Sequence, residues 1–270
     1  MIKNEYYVLS NGISIPKVGF GTWQITDEKE CKDSIKWALE AGYTHIDTAN
    51  AYRNEKFIGE EIKALGVDRK ELFITSKLPA ECKGYDITFK KFYETINNLG
   101  TDYLDLYLIH APRPWGDKSD TNFMPLNIES WKAMIELYNE GKIKCIGVSN
   151  FSPEEIEELA QATGFYPQVN QIYLHAGVPQ AENKEYCDKH NILIEAYCPL
   201  GSGRLFSNED LKALALKNNK TMAQMALRFT LDYGTLPLPK SVHESRIYEN
   251  IDLDFELSKE DYDALYHLKY

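Results

Sequence analysis

The sequence has 270 residues, a hydrophobic fraction of 43% and a formal net charge of −11. This length suits one large domain, and the hydrophobic fraction is that of a globular protein with a core. The acidic balance argues against a nucleic-acid groove and against a surface that binds anionic membranes. It still permits a local basic cluster that holds a phosphorylated small molecule.

The cysteines and the N-terminal segment bear on the compartment in which the protein is expected to work. Five cysteines are widely spaced and form no C-x-x-C pair, which argues against a disulfide framework and against a zinc knuckle. The N-terminal segment lacks the apolar stretch of a secretory signal, and no apolar run approaches the ~18 residues of a membrane span. We therefore expect a cytoplasmic protein without membrane or nucleic-acid partners.

The chain begins with a predicted hairpin and continues as an alternation of strands and helices. Tyr7 to Pro16 predicts two short strands around Asn11-Gly12, a dipeptide favoured in two-residue hairpin turns. Short apolar runs then alternate with segments of helical period, which predicts an α/β fold. Eight of these runs are predicted strands, centred near Val18, His45, Leu72, Leu104, Cys145, Val169, Leu193 and Leu236.

Several intervening helices carry start and stop signals. Apolar residues recur at helical spacing from Phe89 to Leu99, and Gly100 follows as a stop signal. Ser152 and Glu155 have the spacing of a capping box, which predicts a helix start there. Because parallel strands need helical crossovers, eight such units can close a barrel.

The predicted fold is therefore a single (β/α)₈ TIM barrel over residues 1–270, with the N-terminal hairpin closing its bottom. A doubly wound open sheet is the alternative, and periodicity alone does not separate the two folds. That sheet normally binds a dinucleotide through G-x-G-x-x-G after its first strand. The segments Gly19–Gln24 and Gly201–Phe206 each begin this fingerprint and lack its last glycine.

Four polar residues lie at or just after the C-terminal ends of three consecutive predicted strands, where barrel enzymes place their active sites. Asp47 ends one strand, Tyr52 lies in the following loop, and Lys77 and His110 end the next two strands. Taken singly, these residues have ordinary interpretations as a helix cap, a rim aromatic, a solvated charge and a core histidine. Their joint placement favours a catalytic site.

This set suits carbonyl reduction. Hydride arriving at a carbonyl carbon leaves negative charge on the oxygen, which needs a hydrogen-bond donor and finally a proton. The Tyr52 hydroxyl can supply both, although the reference pKa of tyrosine is about 10. We expect Lys77 to lower that pKa, Asp47 to keep Lys77 charged, and His110 to hold the carbonyl oxygen.

At these residues the chain resembles the aldo-keto reductases. The segment Gly42–Glu55 resembles the first family signature, which contains the catalytic aspartate and tyrosine. Ile74–Lys77, Leu106–Pro112 and Gly147–Phe151 follow in the family's order, and Leu238–Asn250 resembles its late cofactor signature. The match spans nearly the whole chain. Within the family, the chain resembles prokaryotic members that reduce diketogluconate, glyoxal or methylglyoxal.

The resemblance implies NADPH-dependent reduction of small aldehydes, dicarbonyls and keto sugars, with Tyr52 as proton donor and Asp47, Lys77 and His110 completing the catalytic set. Its implied cofactor residues are Gly21, Thr22, Ser149, Asn150, Gln171, Tyr197, Cys198, Pro199, Leu200, Ser202, Lys240, Ser241, Val242, Arg246, Glu249 and Asn250. Within this set, Ser149, Asn150 and Gln171 match the family positions that hold the carboxamide of the nicotinamide.

The choice of NADPH over NADH depends on Lys240 and Arg246. Two cations six residues apart, at a predicted strand end and helix start, suit the 2′-phosphate of NADPH, although they also fit a solvated turn. Trp23 and Trp115 are expected to line the substrate pocket. Many relatives have a tryptophan directly after the catalytic histidine, whereas this chain has Ala111 there.

Two other functions remain open at this point. One is a nucleotide-sensing or structural barrel that keeps the cofactor without useful turnover, against which the intact catalytic set argues. The other is a metal-dependent barrel hydrolase using His45, Asp47, His110 and His175, although the chain lacks the usual H-x-H pair. The favoured prediction is a monomeric enzyme without a metal, whose partner is a small carbonyl substrate.

Overall fold

The computed structural model describes residues 1–269 and has a sheet of eight parallel strands at its centre. The strands of an N-terminal antiparallel hairpin are β1 (Tyr6–Val8) and β2 (Ser14–Pro16), and those of the sheet are β3 (Phe20–Gly21), β4 (His45–Asp47), β5 (Phe73–Leu78), β6 (Leu104–Ile109), β7 (Ile143–Ser149), β8 (Val169–Tyr173), β9 (Leu193–Tyr197) and β10 (Leu236–Leu238). Each sheet strand pairs with the next along the chain. Tyr270, the last residue of the predicted domain, lies outside the described residues.

Backbone hydrogen bonds across a seam join the first and last sheet strands. Gly19 N donates to Pro237 O at 3.1 Å, and Gly21 N donates to Pro239 O at 2.9 Å. A Cβ on Gly19 would lie 2.6 Å from both His45 Nδ1 and Leu238 Cδ2, so a larger residue here would require these side chains to shift. The predicted barrel is confirmed, and the open-sheet alternative is wrong.

Helices cover the outside of the sheet and mostly follow the strands in turn. They are α1 (Glu28–Ala41), α2 (Glu55–Ala64), α3 (Tyr85–Leu99), α4 (Met124–Asn139), α5 (Pro153–Thr163), α6 (Ala181–Lys189), α7 (Glu209–Lys217), α8 (Met222–Asp232), α9 (Glu244–Ile251) and α10 (Lys259–Tyr266). Among residues 1–269, no helix has the length and apolar character that crossing a bilayer requires.

The predicted helix signals act as expected. Gly100 ends α3 in the left-handed conformation with φ 63°. At the start of α5, Ser152 N donates to Glu155 Oε2 at 2.9 Å, and Glu155 N donates to Ser152 Oγ at 3.3 Å. This reciprocal pair is the predicted capping box.

The N-terminal hairpin packs on the inside of the barrel at the end where the strands begin. Leu9 and Ile15 are buried in one apolar cluster with Phe73 and Val169, the first residues of β5 and β8. The hairpin therefore closes the bottom of the barrel, as predicted.

The hairpin turn differs from the prediction. Gly12 N donates to Leu9 O, and Leu9 N donates to Ile13 O, each at 2.8 Å, so the loop has three residues rather than two. Only Gly12 within this loop has a positive φ, of 84°. Since a two-residue type I′ turn needs positive φ at both central residues, the chain instead adopts a type I turn with a glycine bulge.

Candidate active site

The four predicted catalytic residues meet at the C-terminal end of the barrel. Lys77 Nζ donates to both carboxylate oxygens of Asp47, at 2.7 and 2.9 Å, and to Thr48 O at 2.8 Å. It also lies 3.4 Å from Tyr52 Oη, and Lys77 itself is fully buried. A buried lysine charge is tolerated only when it is paired, so Asp47 is the partner that keeps this ammonium in place.

Tyr52 and His110 complete the cluster on the side of the cavity. Tyr52 Oη lies 3.5 Å from His110 Nε2, and the two rings make an edge contact with centroids 5.5 Å apart. Trp115 packs edge-on against the other side of the imidazole, also at 5.5 Å. Burial, together with Lys77, lowers the pKa of His110 to about 3, so the ring is neutral near pH 7.

Opposing effects act on the pKa values of Lys77 and Tyr52. Burial lowers the pKa of Lys77, but Asp47 and Tyr52 favour its charged form, and the net pKa is raised. Burial raises the pKa of Tyr52, whereas the charge of Lys77 lowers it, and burial prevails. Lys77 thus acts on the tyrosine pKa in the expected direction, but burial, which the sequence does not show, has the larger effect.

A buried polar network continues from Asp47 into the barrel. Gln171 Nε2 donates to Asp47 Oδ2 at 2.9 Å and to Glu195 Oε2 at 2.7 Å. Glu195 is fully buried, and burial followed by the charge of Asp47 raises its pKa to about 8. Next to it, His45 Nε2 lies 2.9 Å from Thr75 Oγ1, and burial lowers the pKa of His45 to about 3.

A second buried carboxyl fixes the turn that carries Tyr52. Glu55, at the start of α2, accepts a hydrogen bond from Ser76 Oγ at 2.7 Å. Its other oxygen accepts from Asn50 at 3.2 Å and from Asn98 at 3.0 Å. Because Asn50 begins the 3-10 turn Asn50–Tyr52, this carboxyl ties the turn to the strand of Lys77.

A cavity of about 830 Å³ opens above the cluster. The predicted residues that line it are Gly21, Trp23, Asp47, Tyr52, His110, Trp115, Ser149, Asn150, Gln171, Tyr197, Cys198, Pro199, Leu200, Ser202 and Lys240. It is also lined by residues that were not predicted, namely Gln24, Ala51, Tyr173, Gly203, Phe206, Leu238 and Pro239. Phe206 lies in the 3-10 segment Gly201–Ser207, where no periodic pattern marks the side that faces the cavity.

Four of the predicted cofactor residues form one hydrogen-bonded edge of the cavity. Tyr197 Oη donates to Asn150 Oδ1 at 2.8 Å, and Asn150 Nδ2 donates to His110 O at 3.2 Å. Ser149 Oγ donates to Gln171 O at 2.8 Å. Asn150 holds a left-handed backbone with φ 63°, a costly conformation that these bonds help to maintain.

Other predicted residues lie outside the cavity wall. Thr22 is fully buried and its hydroxyl donates to Asp47 O at 2.9 Å, so it contacts the site through the backbone of Asp47. Ser241 Oγ accepts from His243 N at 3.0 Å, and Glu249 Oε1 accepts from Thr221 Oγ1 at 2.7 Å. The remaining members of this group are Lys77, Val242, Arg246 and Asn250.

Two cations lie on the segment that follows β10. Lys240 lines the cavity, and Arg246 is exposed in the first turn of α9. Within residues 1–269 neither side chain forms an ion pair with a carboxylate. Both charges are therefore available to an anion.

The residues of the metal-hydrolase alternative do not form a ligand set. His45 contacts Thr75, as described, and His175 Nε2 lies 2.8 Å from Tyr173 Oη. In the part of the chain that the structure describes, no group of three or more histidine, cysteine, aspartate or glutamate residues could hold a metal ion.

The barrel and its polar cluster define an α/β-barrel enzyme, and comparison with known proteins gives its family. The model of the Aldo/keto reductase family matches residues 17–269, and the chain belongs to this family. It is 43% identical over 258 residues to a glyoxal reductase of Bacillus subtilis, covering 95% of this chain and 90% of the relative. It is thus an oxidoreductase that acts on carbonyl groups, and members of this family use nicotinamide cofactors.

Solved structures agree with this assignment. A crystal structure of an aldo/keto reductase from Brucella melitensis matches with a TM-score of 0.92 and 41% identity, covering 100% of this chain and 99% of that one. A crystal structure of a Bombyx mori aldo-keto reductase in complex with NADP matches with a TM-score of 0.86 and 33% identity, covering 97% and 92% of the two chains.

Proposed function

We propose that this protein reduces small aldehydes, dicarbonyls and keto sugars to alcohols with NADPH, and that Tyr52 is the proton donor. The observation that carries the proposal is the contact of Lys77 Nζ with both Asp47 and Tyr52 at the floor of the cavity. A charged lysine beside the half-buried Tyr52 stabilises the phenolate that remains after the proton leaves.

The side chains then have distinct roles. NADPH, when bound, supplies a hydride to the carbonyl carbon. Tyr52 Oη and His110 Nε2 are 3.5 Å apart, so both can contact one carbonyl oxygen placed between them. His110, uncharged near neutral pH, orients that oxygen, and Tyr52 transfers its proton to it. Asp47 keeps Lys77 charged and next to the tyrosine.

The residues around the cavity fit a phosphorylated nicotinamide dinucleotide. Ser149, Asn150 and Gln171 present hydrogen-bonding groups beside the catalytic cluster, as a carboxamide requires. Lys240 and Arg246 supply unpaired positive charge at another part of the site, as a phosphate requires. The other cofactor residues implied by the family resemblance are proposed in the same roles.

The proposal extends to the substrate pocket, the cellular compartment and the oligomeric state. Trp23 and Trp115 bound a substrate pocket with aromatic walls, which suits small carbonyl compounds of several shapes. We take the working form to be a cytoplasmic monomer, with residues 1–270 forming one domain. The strong negative charge argues against nucleic acid or anionic membrane as partners.

A turnover assay tests the proposed function directly. The purified protein should consume NADPH in the presence of glyoxal, methylglyoxal and a panel of other aldehydes, followed by the fall in NADPH absorbance. Tight NADPH binding without turnover of any carbonyl would instead support the nucleotide-sensing alternative.

The choice of cofactor leads to a prediction for Arg246. Arg246→Met should raise the Kd for NADPH about tenfold or more, because it removes a charge-assisted bond to the 2′-phosphate worth ~1.5–3 kcal/mol. The Kd for NADH should change little, because a hydroxyl gains little from this cation. Fluorescence titration with both cofactors measures the two constants.

A matched variant controls for the loss of one positive charge. Lys259→Met removes a charge from an exposed position on α10 and should leave both constants near the wild-type values. Equal weakening of NADPH and NADH by Arg246→Met, or equal affinity of the wild-type protein for both, would mean that the phosphate site is misassigned.

A further inference from the structure

The side-chain amide of Gln171 is held by two carboxyl groups. Its Nε2 donates to Asp47 Oδ2 at 2.9 Å and to Glu195 Oε2 at 2.7 Å, so both N–H bonds of the amide are used. Gln171 and Glu195 are register partners on β8 and β9, which places the two side chains on the same face of the sheet. The nitrogen side of the amide is therefore directed into the barrel.

This arrangement determines where the amide oxygen points. A reversed amide would place Oε1 against the carboxylate of Asp47, which offers no proton, and would leave both N–H bonds of Nε2 without these acceptors. In the observed arrangement, no group of residues 1–269 donates to Gln171 Oε1, and Gln171 lines the cavity. The cavity therefore presents a hydrogen-bond acceptor at this position.

The two carboxyl groups that accept from Gln171 differ in their other hydrogen bonds, of which Asp47 has several and Glu195 has none in the described chain. Asp47 Oδ2 also accepts from Lys77 Nζ, at 2.9 Å, so its position is set by the catalytic lysine. Glu195 is fully buried, and within the described chain its Oε1 has no hydrogen-bond partner. Burying a carboxyl group at this depth is costly. Among residues 1–269 its one hydrogen bond is the bond from Gln171, and His45 Nε2 lies 3.8 Å from its other oxygen.

We infer that Glu195 is a positioning residue that holds the Gln171 amide with its oxygen toward the cavity, where it accepts a hydrogen bond from a primary carboxamide. The inference rests on the proposed function, since the carboxamide is that of the nicotinamide ring. Glu195 touches neither the substrate nor the cofactor in this account. Its effect is selectivity for a ring substituent that carries an N–H bond.

Two dinucleotides and two variants test the inference. The probes are NADPH and its acetylpyridine analogue, in which a methyl group replaces the carboxamide NH₂ and no N–H can reach Gln171. Wild-type protein should bind NADPH about tenfold more tightly than the analogue, since one hydrogen bond is lost. Glu195→Met, which removes the acceptor, should reduce this ratio to about twofold or less by weakening NADPH alone.

The conservative variant should restore the selectivity. Glu195→Gln keeps a side-chain oxygen that can accept from Gln171 Nε2, so its ratio should stay near the wild-type value. Asp261→Met serves as the matched control because Asp261 is also buried but lies on α10 and is bonded to Lys217 and Asn218 instead of Gln171. Its ratio should not change, and thermal unfolding of the apoproteins checks that each variant is folded.

Each remaining outcome overturns the inference. A wild-type ratio near one means that Gln171 Oε1 does not select for the carboxamide. A Glu195→Met ratio equal to that of the wild type, or equal weakening of both dinucleotides, means that Glu195 does not orient the amide. If the wild-type protein binds NADPH, these results leave the proposed function standing; if it binds neither dinucleotide, both proposals fail.

Discussion

Replacement of Tyr52 by phenylalanine should lower kcat for a good aldehyde by about 10²–10⁴-fold, the usual contribution of a positioned proton donor. Phenylalanine keeps the ring and its edge contact with His110, and it removes only the hydroxyl that lies 3.4 Å from Lys77 Nζ. The fold and the Kd for NADPH should therefore stay close to the wild-type values. Steady-state kinetics and NADPH titration on the same preparation measure both properties.

The direction of the Tyr52 pKa supports the role of donor. Because burial keeps this pKa above its ordinary value of about 10, the hydroxyl retains its proton through neutral pH and can donate it. Tyr93→Phe is a suitable control, since Tyr93 is an exposed tyrosine on α3. Near-wild-type turnover by Tyr52→Phe would rule out the assigned role.

Replacement of Lys77 by methionine should reduce kcat about as severely. The ammonium is the group that stabilises the phenolate of Tyr52, and its removal also leaves Asp47 buried without its cation. The double variant Tyr52→Phe/Lys77→Met should be little worse than either single variant, because residues that act as one unit have strongly non-additive effects. A double-mutant cycle on kcat measures this coupling.

Stability has to be followed for the lysine variant. Breaking a buried ion pair by removing one partner costs on the order of 3–5 kcal/mol, so unfolding curves must show that the protein assayed is folded. Glu129 and Lys132 form an exposed pair on α4, and Lys132→Met there should alter neither stability nor kcat appreciably. If the two catalytic losses simply multiply, Lys77 does not act through Tyr52.

The barrel was predictable because its signals are local. Apolar runs marked the eight sheet strands, and single residues such as Gly100 and Ser152 marked helix ends, since backbone conformation and capping depend on near neighbours in the chain. Asp47, Lys77 and His110 were predictable as a group because parallel strands deliver their C-terminal ends to one face.

The features that escaped prediction depend on tertiary contacts. Phe206 and Tyr173 line the cavity through loop geometry and strand-end orientation, which have no sequence period. The bond between Gln171 and Glu195 requires the register of two strands, and a glutamate within an apolar run gives no indication of its partner. The net pKa of Tyr52 likewise depends on its degree of burial and on the nearby charges of Lys77 and Asp47.

The seam of the barrel makes its wall mechanically uneven. β3 has two residues and β10 has three, whereas β5 and β6 have six each, so the backbone bonding that resists bending is concentrated on the side of Lys77. Stiffness in a sheet follows the number of cooperative backbone bonds, and regions with few bonds open at lower free energy. The compliant side of the ring borders Gly21 and Lys240, where the dinucleotide is proposed to lie. We expect deformation that admits or releases a long ligand to concentrate at the seam rather than between β5 and β6, whose ends carry Lys77 and His110.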